Sequence, residues 1–300
     1  MYTIGIDIGG TKILGTIINT SGQVVDVAES LTRVQDGKEV VMGRVIQLID
    51  RLSQNYEIAA IGVGSAGRIN MTSGEVYYAT PNLPDWTGVN LVEEIKKRFH
   101  LPIFADNDVN TAAYSEYCYG NGRHFPSFVF ISLGTGVAAS FCQNGQIQRG
   151  AHWSAGEVGH MILFPNGKQC NCGQRGCFEQ YCSGTALVRA YNERVHSNPI
   201  TNAQAFFVLV NQNNTTAIQV LDQFIDDLSI GLINLSHTFD PHAYIFGGGL
   251  IQTKDYWWDS LVTRFQERSN DAIQHIELMP AALNNRAGAI GAAKLAMDQL

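Results

Sequence analysis

Apolar residues at the start of the chain come in short β-type runs separated by glycine-rich turns. A strand precedes the turn Gly9-Gly10-Thr11-Lys12, and two more strands follow it, separated by a second tight turn. The same order returns around Gly134-Thr135-Gly136. This repetition predicts a duplicated α/β fold whose halves each offer a glycine loop to the cleft between them. The predicted strands are Tyr2 to Asp7, Ile13 to Ile18 and Gln23 to Val27, and in the second copy Phe128 to Leu133, Val137 to Cys142 and Gln146-Ile147.

Helices are predicted in the remaining chain, two of them next to a further strand. The first of these strands ends at Asp106-Asn107-Asp108 and the second leads into Gly247-Gly248-Gly249. The C-terminal helix is rich in glycine and alanine, which predicts close packing. The helices run from Asn110 to Tyr119, Ala217 to Thr238 and Ala287 to Met297, and the strands from Leu101 to Ala105 and Ala243 to Phe246.

The glycine turns have the composition of phosphate-binding loops. Without Cβ atoms, backbone N–H groups can converge on phosphate oxygens, and the hydroxyls of Thr11 and Thr135 add donors. Neither G-x-x-x-x-G-K-[ST] nor G-x-G-x-x-G occurs at these turns, and both motifs open a helix rather than a second strand. Each turn alone also fits a plain hairpin, but the pair favours a nucleotide triphosphate. Gly247-Gly248-Gly249 fits either an adenosine close to the backbone or a simple strand-to-helix connection.

A cluster of soft metal ligands follows the second glycine turn. Cys170, Cys172 and Cys177 lie close together, and His160 stands ten positions before Cys170. A Cys3His set suits the closed tetrahedral coordination of structural Zn²⁺. A disulfide is the alternative, disfavoured because no secretory signal is present. The other three cysteines have apolar or aromatic neighbours and are predicted to fill the core: Cys118, Cys142 and Cys182.

Three carboxylates are candidates for chemistry or substrate binding. Asp108 follows a predicted strand, where open α/β sheets place ligands, and could accept a proton from an attacking hydroxyl. Its alternative role is to cap the next helix. Glu157 and Glu179 flank the metal cluster in sequence and could bind sugar hydroxyls, or they could be solvated charges.

Composition limits the class of protein. A chain of 300 residues that is 45% hydrophobic can bury large cores, and its length suggests two domains. A net charge of −7 argues against an extended nucleic-acid partner. No apolar run reaches the roughly 18 residues that span a bilayer. We therefore expect a cytoplasmic protein with neither a membrane nor a nucleic-acid partner.

Together these segments resemble the ROK family of repressors, open reading frames and sugar kinases. The resemblance covers essentially the whole chain, in the same order, and the zinc motif is its most specific part. The matching segments are Asp7-Ile8-Gly9-Gly10-Thr11-Lys12, Asn107-Asp108, Leu133-Gly134-Thr135-Gly136, Glu157-x-x-His160 and the C-x-C-G-x-x-G-C-x-E run from Cys170 to Glu179.

The resemblance implies the actin-like, ribonuclease H-like ATPase fold, in which two α/β domains close over ATP and a sugar. We expect a small domain over residues 1–116 and a larger one, with the zinc site, over 117–286. The C-terminal segment 287–300 is expected to pack back on the first domain. Relatives also suggest a homodimer or homotetramer.

Residue roles follow from the same resemblance. Asp108 would bind the sugar and take the proton from its primary hydroxyl, and His160 would serve both the zinc site, with the three cysteines, and the sugar pocket. Asp7 would lie near a Mg²⁺ ion. The other implied sugar-binding residues are Gly67, Arg68, Asn82, Asn107, Glu157 and Glu179. The implied nucleotide-binding residues are Asp7, Gly9, Gly10, Thr11, Lys12, Gly134, Thr135, Gly136, Gly247, Gly248 and Gly249.

The implied activity is transfer of a phosphoryl group from ATP to the 6-hydroxyl of a hexose. The segment from Asn82 to Trp86 is most similar to glucokinases, which favours glucose. Gly67-Arg68-Ile69-Asn70 is similar to N-acetylmannosamine kinases, which keeps that sugar as the alternative, although Arg68 also fits a surface contact. Repressors carry a helix-turn-helix domain ahead of the kinase-like part, whereas here the first phosphate loop already begins at Asp7, so DNA binding is not expected.

One segment departs from the family pattern. Relatives commonly read G-T-G-I-G-G-G at the second loop, where this chain reads Gly134-Thr135-Gly136-Val137-Ala138-Ala139-Ser140. Added methyl groups could move the backbone away from the phosphates and weaken nucleotide binding. This departure is the basis for a second hypothesis, a catalytically silent sugar sensor.

Overall fold

The computed structural model describes residues 1–80, 83–195 and 197–300. Over these residues the chain divides into two compact units. Unit 1 comprises Met1–Pro126, Ser140–Ala155 and Ala281–Leu300, and unit 2 comprises Ser127–Ala139 and Gly156–Pro280. These limits differ from the predicted domain boundaries at residues 116 and 286. Unit 1 continues past residue 116 to Pro126, and it also includes a segment after the second glycine loop and the residues just before the last helix.

The elements of the first part of the chain alternate between strands and helices. In chain order they are β1 (Tyr2–Ile8), β2 (Lys12–Asn19), β3 (Val24–Leu31), α1 (Lys38–Ser53), β4 (Ile58–Ser65), β5 (Arg68–Asn70), β6 (Glu75–Tyr78), α2 (Leu91–Lys96), β7 (Ile103–Asn107) and α3 (Asp108–Tyr119). The remaining elements are β8 (Ser127–Leu133), β9 (Val137–Gln143), β10 (Gln146–Gln148), α4 (Glu179–Cys182), α5 (Gly184–Asn192), α6 (Ala203–Asn211), α7 (Thr215–Phe239), β11 (Ala243–Gly247), α8 (Trp258–Arg268), β12 (Glu277–Pro280) and α9 (Ala287–Asp298).

Within the described ranges, two five-stranded sheets repeat one topology. The first has the order β3-β2-β1-β4-β7 and the second β10-β9-β8-β11-β12. In the first, β1, β2 and β3 pair antiparallel, and β4 and β7 continue the sheet in parallel. In the second, β10 pairs antiparallel with β9, and β8, β11 and β12 are parallel. The predicted duplication is therefore confirmed, and every predicted strand and helix is present with ends shifted by a few residues.

Helix α9 packs on the first sheet at glycine positions. A Cβ atom at Gly5 in β1 would lie 1.9 Å from the carbonyl oxygen of Ala289, and one at Gly62 in β4 would lie 1.8 Å from that of Ala292. On the helix itself, a Cβ at Gly291 would lie 1.7 Å from the carbonyl oxygen of Thr111 in α3. These clashes explain the small residues of the C-terminal segment, because helix and sheet backbones come too close for side chains.

The opposite face of the first sheet is covered by α1. Ile6 and Gly15 pair across β1 and β2, and a Cβ at Gly15 would meet the side chains of Leu48 and Leu52. The buried aliphatic residues of β1, β4 and α1 form one continuous core. Since both faces are covered, the central strands β1 and β4 are mostly apolar, as strands with both faces buried are.

The cysteines outside the metal cluster are packed as predicted, with one difference. Cys142 and Cys182 are buried, whereas Cys118 in α3 is half-buried. No helix among the described residues combines the length and apolarity that crossing a bilayer requires.

Candidate active site

The first glycine loop of unit 1 is closed by backbone hydrogen bonds. The Gly9 N–H donates to the carbonyl of Lys12 at 3.0 Å, so the turn joins β1 directly to β2. Thr32, after β3, supports it from the side: its hydroxyl donates to the Gly9 carbonyl at 2.7 Å, and its N–H donates to the Thr11 carbonyl. The Lys12 ammonium lies 2.9 Å from the Glu29 carboxylate. Thr32 and Glu29 had no role in the sequence analysis, because their contacts to the loop join distant positions in the chain.

Asp7 and Asp108 form an acidic pair within unit 1. Burial, together with the negative charge of Asp108, raises the pKa of Asp7 from 3.8 to about 7, and the positive charge of Lys12 opposes this rise. Two carboxylates whose charges repel each other favour a bound cation, because a positive charge relieves both the repulsion and the cost of burial. Carboxylate oxygens are also the ligands that Mg²⁺ prefers in proteins. The residues present thus fit a Mg²⁺ ion.

Asn107, rather than Asp108, caps helix α3. The Asn107 Oδ1 atom accepts hydrogen bonds from the N–H groups of Val109 at 2.9 Å and Asn110 at 3.1 Å. The capping alternative for Asp108 is therefore wrong, and Asp108 occupies the first position of the helix. A carboxylate there interacts favourably with the helix dipole.

The amide nitrogen of Asn107 links the start of α3 to a neighbouring loop. Its Nδ2 atom donates to Asp108 Oδ1 at 3.0 Å and to the Gly67 carbonyl at 2.9 Å. Gly67 has a φ of 106°, a conformation that side-chain-bearing residues rarely adopt. The geometry thus brings together three residues that the sequence analysis placed at the sugar pocket.

Of the two further residues of the predicted sugar pocket, the structure describes one. The Arg68 guanidinium lies over the Tyr78 ring, 4.9 Å from its centroid, a cation–π contact. Asn82 lies outside the described residues.

The metal-ligand cluster is assembled in unit 2. The ligand atoms of His160, Cys170, Cys172 and Cys177 all lie within 4.8 Å of one another. Cys170 Sγ is 3.7 Å from His160 Nδ1, and Cys172 Sγ is 3.6 Å from Cys177 Sγ. A tetrahedral zinc ion with ordinary bond lengths separates two sulfurs by about 3.8 Å and a sulfur from a nitrogen by about 3.6 Å. The four side chains thus fit Zn²⁺.

The disulfide alternative is wrong for these cysteines. All three are free thiols, and the 3.6 Å between Cys172 and Cys177 is far longer than a sulfur–sulfur bond of about 2 Å. Burial, with Cys172 and Cys170 adding to its effect, raises the pKa of the Cys177 thiol to about 12. A divalent cation would supply the positive charge that thiolates need here.

Polar groups around the cluster orient its ligands. The Gln180 amide donates to Cys170 Sγ at 3.4 Å, and its Oε1 atom accepts from Arg189 at 2.6 Å. Such outer hydrogen bonds fix ligand orientation in metal sites. Neither Gln180 nor Arg189 was identified from the sequence, although Gln180 directly follows Glu179 on the short helix after the motif.

Both glutamates near the cluster converge on His160. Glu157 Oε2 lies 3.7 Å from His160 Nε2, and Glu179 Oε1 lies 3.9 Å from His160 Nδ1. Their side chains are 34% and 20% exposed, so neither is a freely solvated charge. His160 Nδ1 is thus the ring nitrogen beside Cys170, and Nε2 is the one beside Glu157.

The second glycine loop lies next to Glu179 within unit 2. A Cβ at Gly136 would lie 2.7 Å from Glu179 Oε2, and the Gly134 carbonyl accepts a hydrogen bond from the N–H of Gly184. The third glycine cluster meets the strand before this loop, because a Cβ at Gly248 would lie 2.4 Å from the Leu133 carbonyl oxygen. Gly249 then starts a 3-10 helix, Gly249–Tyr256, ahead of α8.

The two alanines that depart from the family pattern belong to the start of β9. Ala139 is buried, and its N–H donates to the Gly156 carbonyl at 2.8 Å. The loop before them closes on itself, with the Gly134 N–H donating to the Gly136 carbonyl at 3.0 Å. The methyl groups thus lie in a strand that holds the residue before Glu157.

At three loop positions neither packing nor backbone conformation requires glycine. Apart from its own chain neighbours, a Cβ at Gly10, Gly134 or Gly249 would have no atom of the described residues within 4 Å, and none of the three has a positive φ. Packing and backbone conformation explain glycine at most positions. At these three the empty space leaves the backbone open to a ligand, which fits phosphate or nucleoside binding.

Comparison with known proteins places the chain among sugar kinases and their relatives. A family model described as the ROK family matches residues 3–299. The chain is similar to the glucokinase of Streptomyces coelicolor, 32% identical over 99% of this chain and 98% of that protein. It is also similar to the N-acetylmannosamine kinase of Escherichia coli, 29% identical over 100% and 99% of the two chains.

A solved structure supports the same fold. The ROK family glucokinase of Streptomyces griseus, crystallised with glucose and AMPPNP, superimposes with a TM-score of 0.88. It is 29% identical, and the match covers 99% of this chain and all of that one. The predicted actin-like, two-domain α/β fold is confirmed by this likeness.

Proposed function

The chain belongs to the ROK family, and on that premise we propose that it is an ATP-dependent hexose kinase that phosphorylates the 6-hydroxyl of glucose. Glucokinases are among its curated relatives at 32% identity, and a glucokinase with bound glucose and AMPPNP shares its fold. The observation that carries the proposal is the state of Asp108. Asn107 is the N-cap of α3, so Asp108 is the first helical residue, and its Oδ1 atom accepts from Asn107 Nδ2 and from the Val109 N–H.

Asp108 would act as the general base. As the sugar oxygen forms its bond to the γ-phosphorus and the bond from that phosphorus to the ADP oxygen breaks, the hydroxyl proton passes to the Asp108 carboxylate. The nearby Asp7 carboxylate would hold a Mg²⁺ ion. When bound, Mg²⁺ supplies positive charge to the phosphate oxygens.

The glycine loops would hold the nucleotide. Gly9 to Lys12 and Gly134 to Gly136 would bind the phosphates through backbone N–H groups, and Gly247 to Gly249 would meet the adenosine. The open space at Gly10, Gly134 and Gly249 supports this assignment, because no other part of the described chain occupies it.

Glu157, His160 and Glu179 would bind sugar hydroxyls, and Zn²⁺ would fix the segment that carries them. Polar groups placed to hydrogen-bond a sugar hydroxyl reject a sugar that lacks this hydroxyl, because the hydrogen bonds of these protein groups would then be left unmade. Asn107, Gly67, Arg68 and Asn82 are the remaining proposed contacts. We further propose a cytoplasmic homodimer or homotetramer, whose assembly sedimentation analysis would measure.

The decisive test is ADP release on mixing the protein and MgATP with single sugars. The panel comprises glucose, N-acetylmannosamine, N-acetylglucosamine, mannose and fructose. We expect the highest kcat/KM with glucose. A higher value with N-acetylmannosamine would favour the second candidate substrate, which the similarity to the Escherichia coli enzyme supports. Sugar binding without ADP release from any of them would favour the sensor hypothesis instead.

Asp108→Asn tests the base. The substitution keeps the size and one hydrogen-bonding oxygen of the side chain but removes the proton acceptor. We expect kcat to fall by about 10²- to 10⁴-fold while the sugar still binds, since general base catalysis contributes about that much. Near-normal turnover in this variant would rule out the assignment.

A further inference from the structure

A buried carboxylate lies two residues before the proposed base. Asp106, near the end of β7, is only 2% exposed. Its Oδ1 atom accepts hydrogen bonds from the N–H of Asn107 at 2.8 Å and from the Asn110 side chain at 3.0 Å. These two donors are the residue that caps α3 and a residue of its first turn.

The other oxygen of this carboxylate is paired with an arginine. Arg149, just after β10, approaches Asp106 Oδ2 with Nε at 2.8 Å and Nη2 at 2.7 Å. Its remaining nitrogen, Nη1, donates to the carbonyl of Ile147 at 3.1 Å. All three guanidinium nitrogens are thus engaged, and the arginine is fixed against its own hairpin as well as against Asp106.

A second hydrogen bond ties the same hairpin to the same helix turn. Ser140 in β9 is fully buried, and its hydroxyl donates to Asn110 Oδ1 at 2.8 Å. Asn110 thereby donates to Asp106 and accepts from Ser140. All four residues of this network belong to unit 1.

We propose that Arg149 and Asp106 are positioning residues for the base Asp108, an inference that rests on the proposed kinase function. Asp108 lies between residues 107 and 110, and both are held by the Asp106 carboxylate. Asn107 in turn donates to Asp108 Oδ1. The arginine keeps Asp106 in place and so sets where the first turn of α3 begins.

The charge balance explains why the arginine matters. Asp106 without Arg149 would be a buried carboxylate whose charge is uncompensated, and such a group either gains a proton or draws in other donors. Either change alters the bonds to Asn107 and Asn110. A displacement of about 1 Å at a reacting group costs on the order of 10²-fold in rate.

The test compares Arg149→Met, Asp106→Asn and the double variant in the full-length protein with its preferred sugar. We expect Arg149→Met to lower kcat at least about tenfold with little change in sugar KM, at temperatures where it is folded. The kcat of the double variant should be at least about threefold higher than that of Arg149→Met, because the double variant leaves no unpaired buried charge. Arg149→Lys should fall between wild type and Arg149→Met, since it keeps the charge but not the fork.

Arg264→Met is the matched control. Arg264 in unit 2 is 24% exposed and pairs with Asp222 and Asp226, whereas Arg149 is 21% exposed. We expect Arg264→Met to lower the thermal midpoint by about as much as Arg149→Met does, and to leave kcat unchanged. The positioning role is refuted if folded Arg149→Met keeps kcat within about twofold of wild type, or if its loss is no larger than that of the control. Should Arg149→Met fail to fold, Arg149→Lys and the double variant decide the question in the same way.

A readout that needs no turnover separates this inference from the proposed function. Amide hydrogen exchange at Val109 and Asn110 should be faster in Arg149→Met than in wild type, while exchange in α8 stays the same. A wild-type protein that phosphorylates none of the sugars refutes the kinase assignment and, with it, a role for Arg149 in catalysis. Unchanged exchange at Val109 and Asn110 in an active enzyme refutes the positioning alone.

Discussion

Replacing Asp7 by Asn should stabilise the ligand-free protein, and the gain should grow with pH. Burial and the charge of Asp108 raise the pKa of Asp7 from 3.8 to about 7 in the folded chain, against the opposing charge of Lys12. Between those two values the folded state keeps a proton that the unfolded chain has released. The free energy of unfolding of the wild type therefore falls as pH rises through that window. Asparagine has no proton to lose, so the variant lacks this dependence.

The size of the effect follows from the same shift. One pKa unit corresponds to about 1.36 kcal/mol, and the folded Asp7 is already half ionised at pH 7, so between pH 5.5 and pH 7 the wild type should lose about 1.6 kcal/mol of stability relative to Asp7→Asn. Above pH 7 both states have released the proton and the difference should level off. At pH 8 the total stabilisation has an upper bound of about 4 kcal/mol, because the asparagine must still fill the same half-buried position.

Urea unfolding at pH values from 5.5 to 8 measures this difference. The buffer should contain neither Mg²⁺ nor nucleotide, and no chelator, so that the zinc site is the same in both proteins. Asp255→Asn, at a side chain that is 85% exposed, is the control and should give a profile parallel to wild type. Parallel profiles for wild type and Asp7→Asn, or a variant that becomes relatively less stable as pH rises, would refute the reasoning.

Three further predictions concern the metal site, the first glycine loop and the packing of α9. Metal analysis should find about one zinc per wild-type chain, and Cys177→Ser should lose most of it together with sugar affinity; a zinc-free, fully active wild type would contradict the site. Gly10→Ala should raise the KM for ATP without lowering stability, because the space at its Cβ is empty in the protein, whereas Gly43→Ala, with equally empty space on α1, should leave that KM unchanged. Gly291→Ala should lower the free energy of unfolding by about 1–3 kcal/mol or more, since its methyl group would overlap the Thr111 carbonyl; an unchanged urea midpoint would show that α3 and α9 can separate without cost.

The parts of the fold that sequence reasoning predicted well are those with local causes. Strand alternation and glycine turns lie within a few neighbouring residues, so both copies of the loop-bearing unit were identified with their strands. The end of β7 was placed at Ala105 but lies at Asn107, because Asp106 and Asn107 pair in parallel with Gly64 and Ser65 of β4. Pairing partners of this kind are distant in the chain, and no local pattern indicates them.

The candidate site, like the fold, has some features with local causes and others that depend on residues distant in the chain. The residue types and spacing of the Cys3His run were sufficient to predict a zinc site, since four soft ligands in a short segment can meet with little help from the rest of the chain. The sequence offered Asp108 as a possible cap of α3, whereas the structure has Asn107 there. The Gly67 carbonyl accepts a hydrogen bond from the Asn107 amide and so helps to orient that side chain, a contact across 40 positions that no local pattern indicates.

By itself, the sequence determined the order of the elements, the glycine loops and the candidate metal ligands, because each is set by residues close together in the chain. Only the tertiary structure decided which His160 nitrogen faces the thiols, why Asp7 has a raised pKa and how Arg149 reaches Asp106 across 43 positions. These properties depend on burial and on charges brought together by folding. Burial removes water from a carboxylate, so its partners, rather than its neighbours in sequence, set its behaviour.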